Sequence, residues 1–192
     1  RAAAAWADVL FKCVPLTTPP PYLGRTLQRR IEDLSGTYDP YRIIREKSNL
    51  FAIELLKTLR PRLDAMSDRM AGVLRLSASG NIIDYGAKHS LTFEEAEEAL
   101  TNSLETPLIG GFEQELSERL KSAKSILIIG DNAGEAVFDR LLCEMLPCRP
   151  VYAVRSAPIL NDMTLEDAKM IRMDEVADVI TTGSDLPGLC LP

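Results

Sequence analysis

Apolar positions recur every three or four residues through most of the first 122 residues, then give way after Lys124 to short unbroken runs. The first pattern predicts helices, because a period of about 3.6 residues gathers such positions on one stripe. Tyr22, Leu27, Ile31 and Leu34 make one stripe; Phe51, Leu55 and Leu59 make another, which Pro61 is expected to interrupt. Thr92-Phe-Glu-Glu95 is a capping-box pattern opening an acidic helix, and Phe112, Leu116 and Leu120 repeat every four residues as expected core positions.

The second pattern alternates strand with helix. Residues 125–130 predict a strand buried on both faces, since an unbroken apolar run leaves no polar side for solvent. Residues 135–146 follow as a helix with Val137, Leu141 and Met145 on one face. Residues 151–155 predict a second strand, Thr164-Leu-Glu-Asp167 caps a second helix, and residues 177–183 predict a third strand. This βαβαβ order implies a parallel sheet with right-handed crossovers. The expected fold class is therefore α/β: a helical N-terminal domain, residues 1–122, packed on a Rossmann-like three-layer α/β/α domain, residues 123–192, with a mainly parallel sheet. Three strands are few for such a sheet, so this second, metal-binding domain is expected to be incomplete, truncated at its C-terminus.

Composition narrows the setting. With 192 residues, 46% of them hydrophobic, the chain can bury a core. A formal net charge of −6 argues against nucleic acid as a partner, because phosphate-backbone binding draws on clustered Lys and Arg. Arg25, Arg29 and Arg30 form the one basic cluster, expected to be a solvated helix face. Cys13, Cys143, Cys148 and Cys190 are scattered without a Cys-x-x-Cys pair, which fits reduced thiols in a cytoplasmic protein better than a zinc site or a disulfide framework. No run approaches the length of a membrane span.

Chemistry is expected at the strand ends. Asp131, Asn132 and Glu135 follow the first strand; Arg155, Asn161 and Asp162 follow the second; Ser184 and Asp185 follow the third. Ligands of open parallel α/β sheets bind at that edge. Neighbouring carboxylates repel unless a cation neutralises them, and a carboxamide beside two carboxylates offers hard oxygen donors suited to Mg²⁺ or Mn²⁺. Asp131, Asn132 and Asp162 are thus the candidate metal ligands, with Asp131 and Asp162 the candidate catalytic groups. Arg155 could clamp a phosphate with its bidentate fork, and the amides of residues 133–135 open a helix whose positive end favours an anion. In Gly80-Asn-Ile-Ile-Asp-Tyr-Gly86, Asn81 and Asp84 can face a cleft while the isoleucines anchor the loop. His89, the only histidine, sits between Lys88 and a capping box and reads as a surface residue.

These segments resemble a known family. Gly80-Asn-Ile-Ile-Asp84, Gly130-Asp-Asn-Ala-Gly-Glu135 with Phe138-Asp139, and Arg155-Ser-Ala-Pro-Ile-Leu-Asn-Asp162 with Glu166-Asp167-Ala168 look like the damage-control phosphatases. Asp39-Pro-Tyr41, Lys47 and Asn49 match the family's helical region. The resemblance implies a phosphomonoester hydrolase working with Mn²⁺, Co²⁺, Ni²⁺ or Mg²⁺ on a small phosphorylated metabolite: a sugar phosphate, a phosphopantetheine-like ester or a nucleotide. It implies Asp131, Asn132 and Asp162 as metal ligands, with Asn81, Asp84, Arg155 and Asn161 lining the substrate site, where Glu135 is also expected. The family's later Lys-Gly motif does not precede Pro192, so the phosphate clamp is expected to be incomplete.

Two other readings stay open on the sequence. An acidic, glycine-containing turn after a buried strand also suits an S-adenosylmethionine-dependent carboxyl methyltransferase, although Gly130 and Gly134 are sparse for that cofactor's loop. A non-catalytic module holding a structural ion would carry the same acidic edge.

Overall fold

The structure, a computed structural model, describes Pro15, residues 18–83 and residues 92–188. Among the described residues, five α-helices make up the first half. α1 (Pro20–Ser35) begins on prolines, whose fixed φ suits a first helical turn. α2 (Arg42–Ala65) runs through Pro61 instead of stopping there. The ring removes one amide, the partner of the Lys57 carbonyl; both residues face outward, where water can serve that carbonyl. α2 turns Ala52, Leu55, Leu59 and Leu63 wholly inward.

Asp68 caps α3 (Arg69–Ser79) by accepting the Ala71 amide at 3.0 Å, and a short 3-10 turn, Gly80–Ile83, follows. α4 (Phe93–Glu105) opens with the expected capping box, in which the Thr92 hydroxyl accepts the Glu95 amide and Glu95 accepts the Thr92 amide. In α5 (Glu113–Ser122) the expected core stripe holds only at its end. Phe112 and Leu116 are exposed, while Leu120 packs on the core. An ion pair anchors this helix instead: Glu113 at its start takes both Arg75 Nε, at 2.9 Å, and Arg75 NH2, at 2.7 Å. That pair and the buried Ser117 turn a different face inward.

The second half is the sheet and its crossovers: β1 (Leu127–Ile129), α6 (Glu135–Met145), β2 (Val151–Val154), α7 (Leu165–Met170) and β3 (Asp178–Thr181). The strands run parallel in the order β1-β2-β3, with Leu127 beside Val151 and Val151 beside Asp178. The second capping box, Thr164 with Asp167, also forms. α2 and α3 pack on α6. Phe138, Leu141, Tyr152, Val154 and Met163 fill the core they share with Leu55, Leu76 and Ile83.

One expectation is corrected here. β1 is not buried on both faces: Leu127 is 61% exposed and Ile129 65%. Right-handed crossovers between strands in monotonic order put both connecting helices on one face, and only a reversal of strand order would send helices to the other. Among the described residues, no helix is long and apolar enough to cross a membrane.

Candidate metal and phosphate site

The carboxyl end of β1 is set by close packing. Gly130 extends the ladder by donating to the Ala153 carbonyl at 2.9 Å, and a Cβ on it would fall 2.5 Å from the Tyr152 ring. The chain then turns away from β2 and pairs with a distant segment. Met163 donates to the Asp131 carbonyl at 2.7 Å and Ala133 to the Asn161 carbonyl at 2.9 Å, so Asn132 and Asp162 face each other across an antiparallel bridge. On the other side, Arg155 continues β2 by donating its amide to the Met163 carbonyl at 2.9 Å and bridging in parallel to Thr164. Opposed residues of an antiparallel pair put their Cβ atoms about 5 Å apart on one face. Backbone hydrogen bonds thus collect Asp131, Asn132, Arg155, Asn161 and Asp162 at one edge.

Side chains complete the cluster. Asn132 Nδ2 donates to Asn81 Oδ1 at 3.0 Å and to Asp131 Oδ2 at 3.5 Å, which draws the 3-10 turn into the site. Glu135, in the first turn of α6, lies against the same turn: a Cβ on Gly80 would sit 3.0 Å from Glu135 Cγ. Asp162 is 8% exposed, and its Oδ2 accepts Arg155 Nε at 2.6 Å. Burial pushes its carboxyl above the usual range; Arg155 opposes this, and the negative charge of Asp131 adds to it. Asp84 and His89 lie outside the described residues.

Two carboxylates and a carboxamide are what converges. Among the described residues, no group of three His, Cys, Asp or Glu side chains is placed to hold a metal ion, so a cation here would rely on Asn132 as its third protein oxygen. That set fits a hard divalent ion. It is all oxygen, its two acids repel each other, and one of them is already pushed toward the protonated form by burial.

Of the three amides expected to seat an anion at the start of α6, two are engaged within the protein. The Gly134 amide is taken by Asn49 Oδ1 at 2.8 Å, in the buried interior, and the Ala133 amide by Asn161. An anion is better served beside Arg155. That residue lines a cleft of about 380 Å³ together with Tyr38, Asp39, Arg42, Thr164 and Glu166. Periodicity did not single out Tyr38, Asp39 or Arg42 as site residues. Their signals were the Asp-Pro turn ahead of a helix rich in Arg and, for Asp39, the family resemblance of Asp39-Pro-Tyr41. Ser184 and Asp185 do not join the Asp131–Asp162 edge: Asp185 bonds Arg25 at 3.1 Å and Arg29 at 3.0 Å, which makes that basic cluster a structural tie rather than only a solvated face.

A helical half packed on a parallel sheet, with acids and amides of successive crossovers joined at the strand ends, is the architecture of a known group. The chain belongs to the damage-control phosphatase ARMT1-like domain family, whose model matches residues 7–191. It is 37% identical over 179 residues to the uncharacterized protein MJ0202 of Methanocaldococcus jannaschii, covering 90% of this chain and 58% of that protein. A damage-control phosphatase of Archaeoglobus fulgidus is 30% identical over 177 residues, covering 88% and 60%. The damage-control phosphatase PH1575 of Pyrococcus horikoshii is 30% identical over 195 residues, covering 100% and 66%. The crystal structure of PH1575, a DUF89 family protein, superposes with a TM-score of 0.79 at 27% identity, over 97% of this chain and 65% of that one. The chain thus spans between 58% and 66% of the length of these relatives.

Proposed function

We propose that this chain is the metal-holding part of a phosphatase that hydrolyses small phosphate monoesters, in the cytoplasm. The observation that carries the reading is the pairing of residues 131–133 with 161–163, which brings two carboxylates and a carboxamide together beside Arg155. Asp131, Asn132 and Asp162 would hold Mn²⁺, Co²⁺, Ni²⁺ or Mg²⁺. When bound, the ion supplies Lewis acidity to a phosphoryl oxygen and lowers the pKa of a water.

The chain's own residues do the rest. Arg155 keeps Nε on Asp162 and offers the remainder of its guanidinium to the cleft, so one side chain orients the acid and meets the phosphate. Asn81 and Asp131 hold the Asn132 nitrogen, so the amide would turn over to offer its oxygen to the ion. Asn161 and Glu135 border the substrate, with Asp84 assigned to the same rim by the family pattern. The cleft's mixture of Asp39, Glu166, Arg42 and Arg155 suits a polar, phosphorylated metabolite such as a sugar phosphate, a phosphopantetheine-like ester or a nucleotide.

Hydrolysis of p-nitrophenyl phosphate by the full-length protein, with each divalent ion added to chelator-treated enzyme, tests the reading. Turnover that needs the ion supports it. Binding of S-adenosylmethionine without phosphate release would overturn it.

A further inference from the structure

Arg45 is 1% exposed in the middle of the protein, yet its guanidinium reaches three separate parts of the chain. Nε donates to Asp167 Oδ2 at 2.7 Å. NH1 and NH2 donate to Asp39 at 2.9 and 2.5 Å, and NH1 also reaches the Leu160 carbonyl at 3.2 Å. The two acids suffice to neutralise a buried cation. The bond to Leu160 is therefore the one that charge balance does not require.

Leu160 is one of two described non-glycine residues in left-handed backbone, with φ 45. That conformation crowds Cβ against the backbone, so a leucine stays there only when its surroundings hold it. Its own side chain is 43% exposed and provides little grip. Immediately after it come Asn161 and Asp162. The Asp162 amide closes the turn on the Ile159 carbonyl at 3.0 Å, and the next amide, Met163, reaches Asp131. At the far end of the same segment, Asp167 is held by Arg45 and also accepts the Thr164 hydroxyl at 2.6 Å.

We infer that Arg45 is a positioning residue for the Asp131–Asp162 edge: it grips residues 160–167 at both ends and holds Leu160 in the conformation that presents Asp162 to Asp131. The link to metal rests on the reading of that edge given above; the control of the turn does not. Arg45 touches neither ion nor substrate. It acts from the helical half through the backbone of the loop.

The test uses Arg45→Lys, which keeps the charge but cannot span two acids and a carbonyl at once. In metal-free protein, native-state hydrogen exchange read by NMR should show the Asp162 and Met163 amides exchanging roughly tenfold faster or more. The Thr182 amide, which bonds the Val154 carbonyl at 2.8 Å, serves as the internal reference and should hold its rate. Adding Leu160→Asn to the Arg45→Lys protein should restore protection, because Asn accepts left-handed backbone readily. Leu160→Val in the otherwise unchanged protein should reproduce the loss without touching Arg45, since a β-branched residue suits that conformation worst. Mn²⁺ affinity, measured by calorimetric titration, should fall roughly tenfold or more in Arg45→Lys and recover with Leu160→Asn. Equal acceleration of all three amides would overturn the inference, as would failure of Leu160→Asn to restore protection or an unchanged rate in Leu160→Val. The expected exchange pattern in a protein that takes up no Mn²⁺ would uphold the role of Arg45 in the loop and sink the metal reading instead.

Discussion

The Tyr152 ring lies where a side chain on Gly130 would have to go: a Cβ there would sit 2.5 Å from both the phenol oxygen and the ring edge. The ring is also pinned. Its hydroxyl donates to Asp139 Oδ2 at 2.8 Å, and Ser77 donates to the other oxygen of the same acid at 2.5 Å. Gly130→Ala should therefore cost about 1–3 kcal/mol, the usual penalty of overpacking a filled core. Because Asp131 is the next residue, Mn²⁺ affinity should fall as well. A thermal melt and a metal titration check this, and an unchanged melting temperature would show that the ring yields.

Asp139 is expected to make stability depend on pH in an unusual direction. Burial pushes its carboxyl up from the ordinary 3.8; the Ser77 and Tyr152 hydroxyls oppose this, and the charge of Asp131 reinforces it. The folded state then holds the proton more tightly than the unfolded state. The resulting stabilisation is complete below the unfolded value and is lost as pH rises through the raised folded one. Asp139→Asn cannot titrate there. Urea midpoints of the two proteins, taken from about pH 3 upward, should show the wild type losing ground to the variant as pH rises. Parallel curves would contradict the assignment.

Asp131→Ala should abolish divalent-ion binding and phosphatase activity while leaving the fold in place. Removing the acid also relieves its repulsion of Asp162 and Asp139, so metal-free stability should hold or rise slightly. Calorimetric titration with Mn²⁺ decides the matter. Wild-type affinity in the variant would remove Asp131 from the ligand set.

Arg155→Lys should weaken substrate binding more than ion binding. Lysine keeps a positive charge near Asp162 but loses the planar fork, and a lost charge-assisted hydrogen bond costs roughly 1.5–3 kcal/mol. KM should rise accordingly while Mn²⁺ affinity stays close to that of the wild type. Loss of the ion instead would mean that Arg155 serves chiefly to orient Asp162, through the 2.6 Å bond they share.

Much of the architecture could be read from periodicity, because its signals are local. Both capping boxes and the succession of strands and helices after Lys124 are written in neighbouring residues. The joining of Asn132 to Asp162 was legible only as a shared sheet edge; their direct pairing depends on backbone bonds between segments far apart in the chain, which carry no periodic trace. Arg45 was hidden for a related reason. A charged residue inside a helix reads as solvated, and only the tertiary fold supplies the two acids that let it be buried. Pro61 misled because a proline breaks a helix only where the lost hydrogen bond cannot be replaced.

The acid edge and the cleft beside it are built differently, and this bears on how such a protein can diverge. Asp131 and Asp162 are tied by main-chain bonds, with Arg45 gripping the loop that makes them, so their relative placement rests on few side chains. The cleft is lined by side chains from the turn before α2, from the start of α2 and from residues 155–158 and 164–166, with neither Asp131 nor Asp162 among them. Substitution of Tyr38, Arg42 or residues 156–158 would reshape that space while the main-chain bonds stay in place, whereas Asp39, which also holds Arg45, is not free to change. On the proposed reading, substrate preference can drift at those positions across descendants of this fold while the Asp131–Asp162 edge is kept.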